Sequence, residues 1–239
     1  MKGLSRKAVA VGMSAAIGGM LLLAACSMLG GGSEKDAGDF EKDFGISART
    51  FSAQGRNDYF ILEPGYQLVL ENKKEKLVIS VLNETKKVGG VETRIVEERE
   101  TDGGELVEVS RNYFAIDTQT KDLFYFGEDV DMYKNGKVTS HEGSWLADGA
   151  KNQAGILIPG KPIVGRKYYQ EIAPGVALDR AKIVSVSLTL ETPAGKFTNC
   201  VKSEETSGLE GGKEYKMYAP GIGLIKDSDL VLTRYGRGN

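Results

Sequence analysis

Tyr66-Gln67-Leu68-Val69-Leu70, then Asn72-Lys73-Lys74-Glu75, then Leu77-Val78-Ile79-Ser80-Val81-Leu82 decides the fold class. Two short apolar runs rich in branched side chains flank a polar, charged turn. Neither carries the i, i+3, i+4 apolar stripe of an amphipathic helix, and both are too short for one, so they read as antiparallel strands. The same grammar extends in both directions. Val91, Thr93 and Ile95 alternate with Glu92, Arg94 and Val96, and Asp102-Gly103-Gly104 then turns the chain into Leu106–Ile116. Further strands are expected at Leu123–Phe126, Met132–Tyr133 and Val138–Trp145, with Asn135-Gly136 as a hairpin turn.

Beyond the Gly- and Pro-containing stretch 147–166, strands are expected at Lys167–Ile172, Ala177–Leu190, Lys196–Thr206, Glu214–Tyr218 and Leu230–Tyr235. Turn residues recur at intervals of about 10 residues, the spacing of an antiparallel meander. The fold class is therefore mainly β, with the meander forming an open or partly closed barrel or a sandwich. A shift of 105 residues aligns 90–115 with 195–220, matching Gly90 with Gly195, Thr93 with Thr198, Val96 with Val201 and Tyr113 with Tyr218. Two similar β-halves are one explanation of that match, and shared hairpin chemistry is the other.

The first 25 residues differ in kind. Lys2, Arg6 and Lys7 precede an apolar, small-residue run from Ala8 to Ala25 that ends Leu21-Leu22-Leu23-Ala24-Ala25-Cys26. A charged start, an apolar middle and a small-residue end describe a secretory signal peptide better than a membrane span. Leu23-Ala24-Ala25-Cys26 resembles the lipobox of bacterial lipoproteins. That resemblance implies cleavage before Cys26, a diacylglyceryl group on its thiol and an acyl chain on its new amino group. Several chains make a stable anchor, because each buried CH₂ contributes about 0.8 kcal/mol and one chain alone is marginal. Ser27 follows, where the family pattern in Gram-negative cells uses Asp for inner-membrane retention. The resemblance thus implies an outer-membrane protein facing the periplasm in such a cell.

These readings give a domain plan: 1–25 signal peptide, 26–56 lipidated Cys26 and tether, 57–146 N-terminal β-half, 147–166 connection, and 167–239 C-terminal β-half. The tether is read from Gly30-Gly31-Gly32 and the charged run Ser33–Asp39, which hold too little apolar surface to fold alone.

A second resemblance lies in the C-terminal half. Thr192-Pro193-Ala194-Gly195-Lys196-Phe197-Thr198-Asn199-Cys200 and Tyr218-Ala219-Pro220-Gly221-Ile222-Gly223-Leu224-Ile225-Lys226 are similar to a motif pair of uncharacterised bacterial envelope proteins, which implies no activity. Read physically, Pro193 and Gly195 shape a turn, and Pro220-Gly221 interrupts one strand and starts another.

Composition narrows the functional classes. Without residues 1–25 the chain holds 28 basic against 33 acidic side chains, a balance that gives no basic footprint for nucleic acid. Cys26 and Cys200 are the two cysteines. With Cys26 lipidated, Cys200 is a small core residue and no disulfide is expected. His141 is the single histidine, so a zinc site of several His or Cys is not expected, and no nucleophile-elbow pattern surrounds any serine. His141 reads as a solvent-facing strand residue.

Asp129 with Asp131, and Asp227 with Asp229, have the alternate spacing of carboxylates on one strand face, but lack the spaced oxygen ligands of a calcium loop. Glu97, Glu98, Glu100, Asp102, Glu105 and Glu108 surround one hairpin and read as a hydrated edge guarded against aggregation. A pair of them across a cleft is the basis of a glycosidase reading. Tyr113, Phe114, Phe124, Tyr125, Phe126, Trp145, Tyr168, Tyr169, Tyr215 and Tyr218 fall on expected strands, where they fill a core or line a concave apolar face.

The functional expectation is a lipid-anchored envelope protein, not an enzyme, with no catalytic or metal residues and no cofactor. It binds a hydrophobic or envelope ligand, or else acts as a scaffold with protein partners only.

Overall fold

The computed structural model describes residues 40–149, 151–209 and 211–238. The signal peptide, the lipobox and Cys26 lie outside the described residues. Within them the chain is almost entirely β, with one short 3₁₀ turn at Ile46–Ala48. No helix among the described residues is long and apolar enough to cross a membrane.

Three short strands come first: β1 (Phe51–Ser52), β2 (Gly55–Asn57) and β3 (Phe60–Leu62). The meander follows as β4 (Tyr66–Glu71), β5 (Glu75–Val88), β6 (Val91–Asp102), β7 (Glu105–Asp117) and β8 (Leu123–Lys134). Short strands β9 (Lys137–Ser140) and β10 (Trp145–Leu146) fold back on β8, and β11 (Gln153–Ile158) pairs beside them. The second part comprises β12 (Lys167–Tyr169), β13 (Glu171–Ile172), β14 (Asp179–Thr192), β15 (Gly195–Ser207), β16 (Glu214–Ala219), β17 (Gly223–Asp227) and β18 (Leu230–Arg237).

One antiparallel sheet runs β12-β14-β15-β16-β17-β18-β4-β5-β6-β7-β8-β11-β13. β18 pairs with β4 over Val231–Arg237 and Tyr66–Glu71, joining the two parts of the chain into one wall. The sheet curls until its first and last strands, β12 and β13, are separated along the chain by Gln170 alone. The result is a nearly closed barrel with a single seam, the expected fold class. Gly155 on β11 permits the approach at that seam. A Cβ there would sit 2.4 Å from the Tyr169 carbonyl oxygen and 2.5 Å from that of Gln170.

The expected turns form with their required chemistry. Asn135 and Gly136 both have positive φ (53° and 72°), the pattern that matches strand twist in a two-residue hairpin. The long hairpins β5–β6 and β14–β15 both carry register shifts partway along. Asn199 adopts φ 54° beside the last shift of β14–β15, which seats Cys200 in the core. The turn after Tyr218 is held from outside: the Gly221 N–H donates to the Asp58 carbonyl (2.7 Å), and the Tyr66 hydroxyl donates to that of Ile222 (2.9 Å). Both C-terminal motifs thus have architectural roles.

Two features depart from expectation. The connection 147–166 contains β11, a run of buried aliphatics next to β8. Residues 40–56, assigned to the tether by composition, lie against the barrel. Phe44 and Phe51 stack edge-on against Phe124 (5.8 and 5.3 Å between centroids), and Phe51 does the same with Phe126. Arg49 locks this segment down through Asp117 (2.9 Å) and the Phe44 carbonyl (2.6 Å). Glu41 pairs with Tyr168, accepting from Tyr169 N–H and donating to the Lys167 carbonyl, so it covers the free edge of β12.

Candidate functional site

The register of the wall fixes which side chains enter the barrel. Directly opposed residues share a face. Leu77 opposes Glu100, Ile79 opposes Glu98, and Val81 opposes Val96. Glu100 in turn opposes Glu108, Glu98 opposes Ser110, and Asn112 opposes Glu128 on β8. On the far wall Ser203 opposes Lys216, Ala181 opposes Glu205, and Lys216 opposes Asp227. All of these side chains are buried.

The interior is graded. Towards one end it is apolar, with Leu68, Phe114, Tyr218 and Leu224. The β2–β3 hairpin lies over that end, placing Phe60 5.5 Å from Phe114 and tying Asn57 to the Lys121 (2.7 Å) and Ile158 (3.3 Å) carbonyls. Towards the opposite end the interior is acidic. Glu98, Glu100, Glu108, Glu128, Glu171, Glu205 and Asp227 are all buried, with Asp179 partly buried beside them.

Lys216 is the buried cation among these acids. Its Nζ lies 3.2 Å from Glu205 Oε2 and 3.7 Å from Asp227 Oδ2, while the Ser203 hydroxyl donates to Glu205 Oε1 at 2.9 Å. Burial alone would lower the Lys216 pKa, but Asp227 and Glu205 outweigh it and hold the ammonium well above its ordinary value. The acids behave in the opposite sense. Burial pushes Glu108 and Asp227 up to about 7. Burial, reinforced by neighbouring carboxylates, raises Glu100, Glu128 and Glu171 well above the usual range. Glu100 is raised by Glu108, Glu98 and Asp227, which come from both walls, so the acids form one electrostatic cluster. Both Glu100 carboxyl oxygens and the buried hydroxyls of Tyr168 and Tyr218 have no protein hydrogen-bond partner.

The hairpin acids are therefore not one hydrated edge, which corrects the sequence reading. Alternation divides them: Glu98, Glu100 and Glu108 enter the barrel, whereas Glu97 meets Arg111 outside and Asp102 meets Lys74 at 2.6 Å. Glu105 is exposed in the turn. Asp129 and Asp131 share the outer face of β8. Asp129 is held by Lys86 and the Tyr113 hydroxyl, and Asp131 by Arg111 (3.3 Å) and His141 (2.9 Å). Asp227 is buried on β17, but Asp229 falls in the following turn, so that pair is not brought together. His141 is solvent-exposed, just beyond β9 rather than within a strand.

Most of the aromatics pack against one another. Tyr125 lies between Phe114 (5.0 Å) and Trp145 (5.3 Å), and donates to Asn112 Oδ1 at 2.7 Å. Tyr215 is exposed and bonds Glu204, and Tyr169 is half-buried beside Phe40. An apolar crevice among Phe60, Tyr66, Leu68, Ile79 and Val81 holds about 10 Å³, and an open recess of about 280 Å³ is lined by Gln67, Arg234, Tyr235 and Arg237.

No protein-family model and no curated protein matches the chain. A solved structure from Parabacteroides distasonis, described as a candidate lipoprotein, aligns at 14% identity and a TM-score of 0.39, covering 77% of this chain and 100% of that one. A likeness at that level carries no inference for this chain.

Proposed function

We propose that the protein is a lipid-anchored, non-catalytic envelope protein whose β-barrel serves as a structural module for protein partners. The anchor rests on the sequence: Leu23-Ala24-Ala25-Cys26 after a charged start and an apolar run. The choice between scaffold and hydrophobic-ligand binder rests on one observation. The aromatics that could line a greasy cavity, Phe114, Phe124, Tyr125, Phe126 and Trp145, are buried in contact with other rings. The test is fractionation of producing cells with and without Cys26→Ala. The reading predicts membrane-bound wild type and a variant released or left unprocessed. An identical membrane-bound distribution for both would sink it.

A second reading is favoured by the acidic interior: a cationic ligand, such as a polyamine, entering at the acidic end. Seven buried acids against one lysine, with the Tyr168 and Tyr218 hydroxyls unpartnered, supply acceptors for ammonium groups. Spermidine should then raise the melting temperature of the full chain at pH 7.5 more than NaCl of equal ionic strength. Equal effects would remove this reading.

A further inference from the structure

Thirteen residues, 27–39, separate Cys26 from Phe40, where the described structure begins. Fully extended, the chain from Cys26 to Phe40 spans at most about 50 Å. Composition alone, with a spacer running to residue 56, allowed roughly twice that reach. Packing of residues 40–56 therefore shortens the leash and fixes where it leaves the domain: at Glu41, on the edge of β12.

The surface at that exit is unusual. The Arg166 guanidinium reaches back to Glu41 Oε2 at 3.0 Å, and the Arg166 N–H donates to the Ile163 carbonyl at 3.0 Å. Those two bonds connect the exit point directly to the turn Ile163-Val164-Gly165-Arg166. Ile163 and Val164 are 59% and 56% exposed, the two most exposed large aliphatics among the described residues. Scattered single apolar residues need no explanation. Two adjacent exposed branched aliphatics that open a turn, beside the point where the chain departs for its anchor, present apolar surface where a short leash brings the bilayer.

We propose that the 163–166 turn is a second membrane contact, in which Ile163 and Val164 enter the lipid interface while the acyl chains on Cys26 hold the domain nearby. The occupant is the bilayer that carries the anchor. The contact itself is apolar: Lys161 precedes it, but Arg166 is paired with Glu41 and Lys42 lies between Glu41 and Asp43, so the neighbouring charges have mixed sign and zwitterionic lipid suffices. On its own the contact is too small to hold the domain. Tethering within a short leash raises the local lipid concentration enough to populate it. One consequence is a defined orientation of the barrel on the membrane.

This inference rests on the lipid-anchor reading, and the test separates the two. The full chain carrying Ile163→Trp, purified from membranes, is placed in phosphatidylcholine vesicles containing brominated lipid, with wild type as the baseline because Trp145 is its sole, buried tryptophan. The expected result is a blue-shifted emission, quenched by the brominated lipid at low and at high salt, and lost on adding Val164→Asp. A water-exposed emission quenched only by aqueous acrylamide overturns the contact. Should Cys26 arrive unacylated, coupling it to a maleimide phospholipid restores the same leash, since Cys200 is buried. Lipid quenching then supports the contact while the anchor reading fails, and its absence overturns the contact independently.

Discussion

Lys216 and Asp227 face each other across β16 and β17 inside the barrel, each 1% exposed, with Nζ 3.7 Å from Oδ2. Glu205 completes the group on the other side of the ammonium at 3.2 Å. A buried ion pair adds little net stability against a well-packed apolar replacement, but removing one member leaves the others uncompensated. Lys216→Met should therefore cost about 3–5 kcal/mol at pH 7.5. The loss should shrink at pH 5, where Asp227, raised to about 7, takes up a proton. Thermal denaturation at the two pH values checks this, and a pH-independent loss would rule out the uncompensated carboxylates as its cause.

The carboxyls around Lys216 set the pH profile of the whole domain. Glu108 and Asp227 rise from ordinary values of 4.5 and 3.8 to about 7 on folding. Between those limits the folded state binds more protons than the unfolded chain, so the stability these two groups contribute is full below about pH 4 and is lost as pH climbs through 7. Glu71 beside Lys76 and Glu204 beside Lys213 are held below the ordinary range and act in the opposite sense, destabilising the fold only at lower pH. Maximum stability is expected near pH 4–5, well below neutrality. Denaturant midpoints from pH 3 to pH 8 would show it, and a flat profile between 5 and 8 would contradict it.

Neutralising one acid of the cluster should help. Glu108→Gln keeps the shape of the side chain and removes a charge that burial disfavours. At pH 7.5 the melting temperature should rise by a few degrees, the shift that about 1 kcal/mol gives in a domain of this size. At pH 4 the variant and wild type should coincide, because Glu108 is then protonated in both states.

The seam offers a purely steric test. In Gly155→Ala the added carbon would fall 2.4 Å from the Tyr169 carbonyl oxygen, a backbone atom that cannot swing aside. The expected cost is about 2–3 kcal/mol, with faster hydrogen exchange at Ala154 and Gln170. Gly149, whose added carbon would meet nothing within 4 Å, gives no such clash.

The N-terminal segment supplies a further contrast. If residues 40–56 were tether, Phe44→Ala would be silent. Packed against Phe124, it should cost about 3 kcal/mol and expose 40–56 to protease cleavage. Intact-mass analysis after limited proteolysis reads this directly.

The strands that alternate cleanly were legible in the sequence. Tyr66–Leu82 and Asn135-Gly136 form the hairpins their residues require, because period-2 burial and turn chemistry are local properties. The acid cluster was not legible. Glu98 and Glu100 are in phase with Val96, which pointed inward, but Glu97 and Arg99 charge the other face equally, so alternation could not rank the faces. Lys216 lies in phase with Tyr218, yet nothing local says that an opposing wall brings Glu205 and Asp227 to it. β11 was missed because Ala154-Gly155-Ile156-Leu157-Ile158 sits among glycines and prolines that signal a loop. Phe44 and Phe51 were hidden by polar neighbours, since a segment docked by a few aromatics has no periodicity to read.

The lipid anchor is tested most directly by intact and N-terminal peptide mass spectrometry of protein extracted from the membranes of its own cells. The expected product is a chain that begins at Cys26 and carries acyl chains on that residue. A chain that retains residues 1–25, or an unmodified Cys26 in membrane-extracted material, would contradict it.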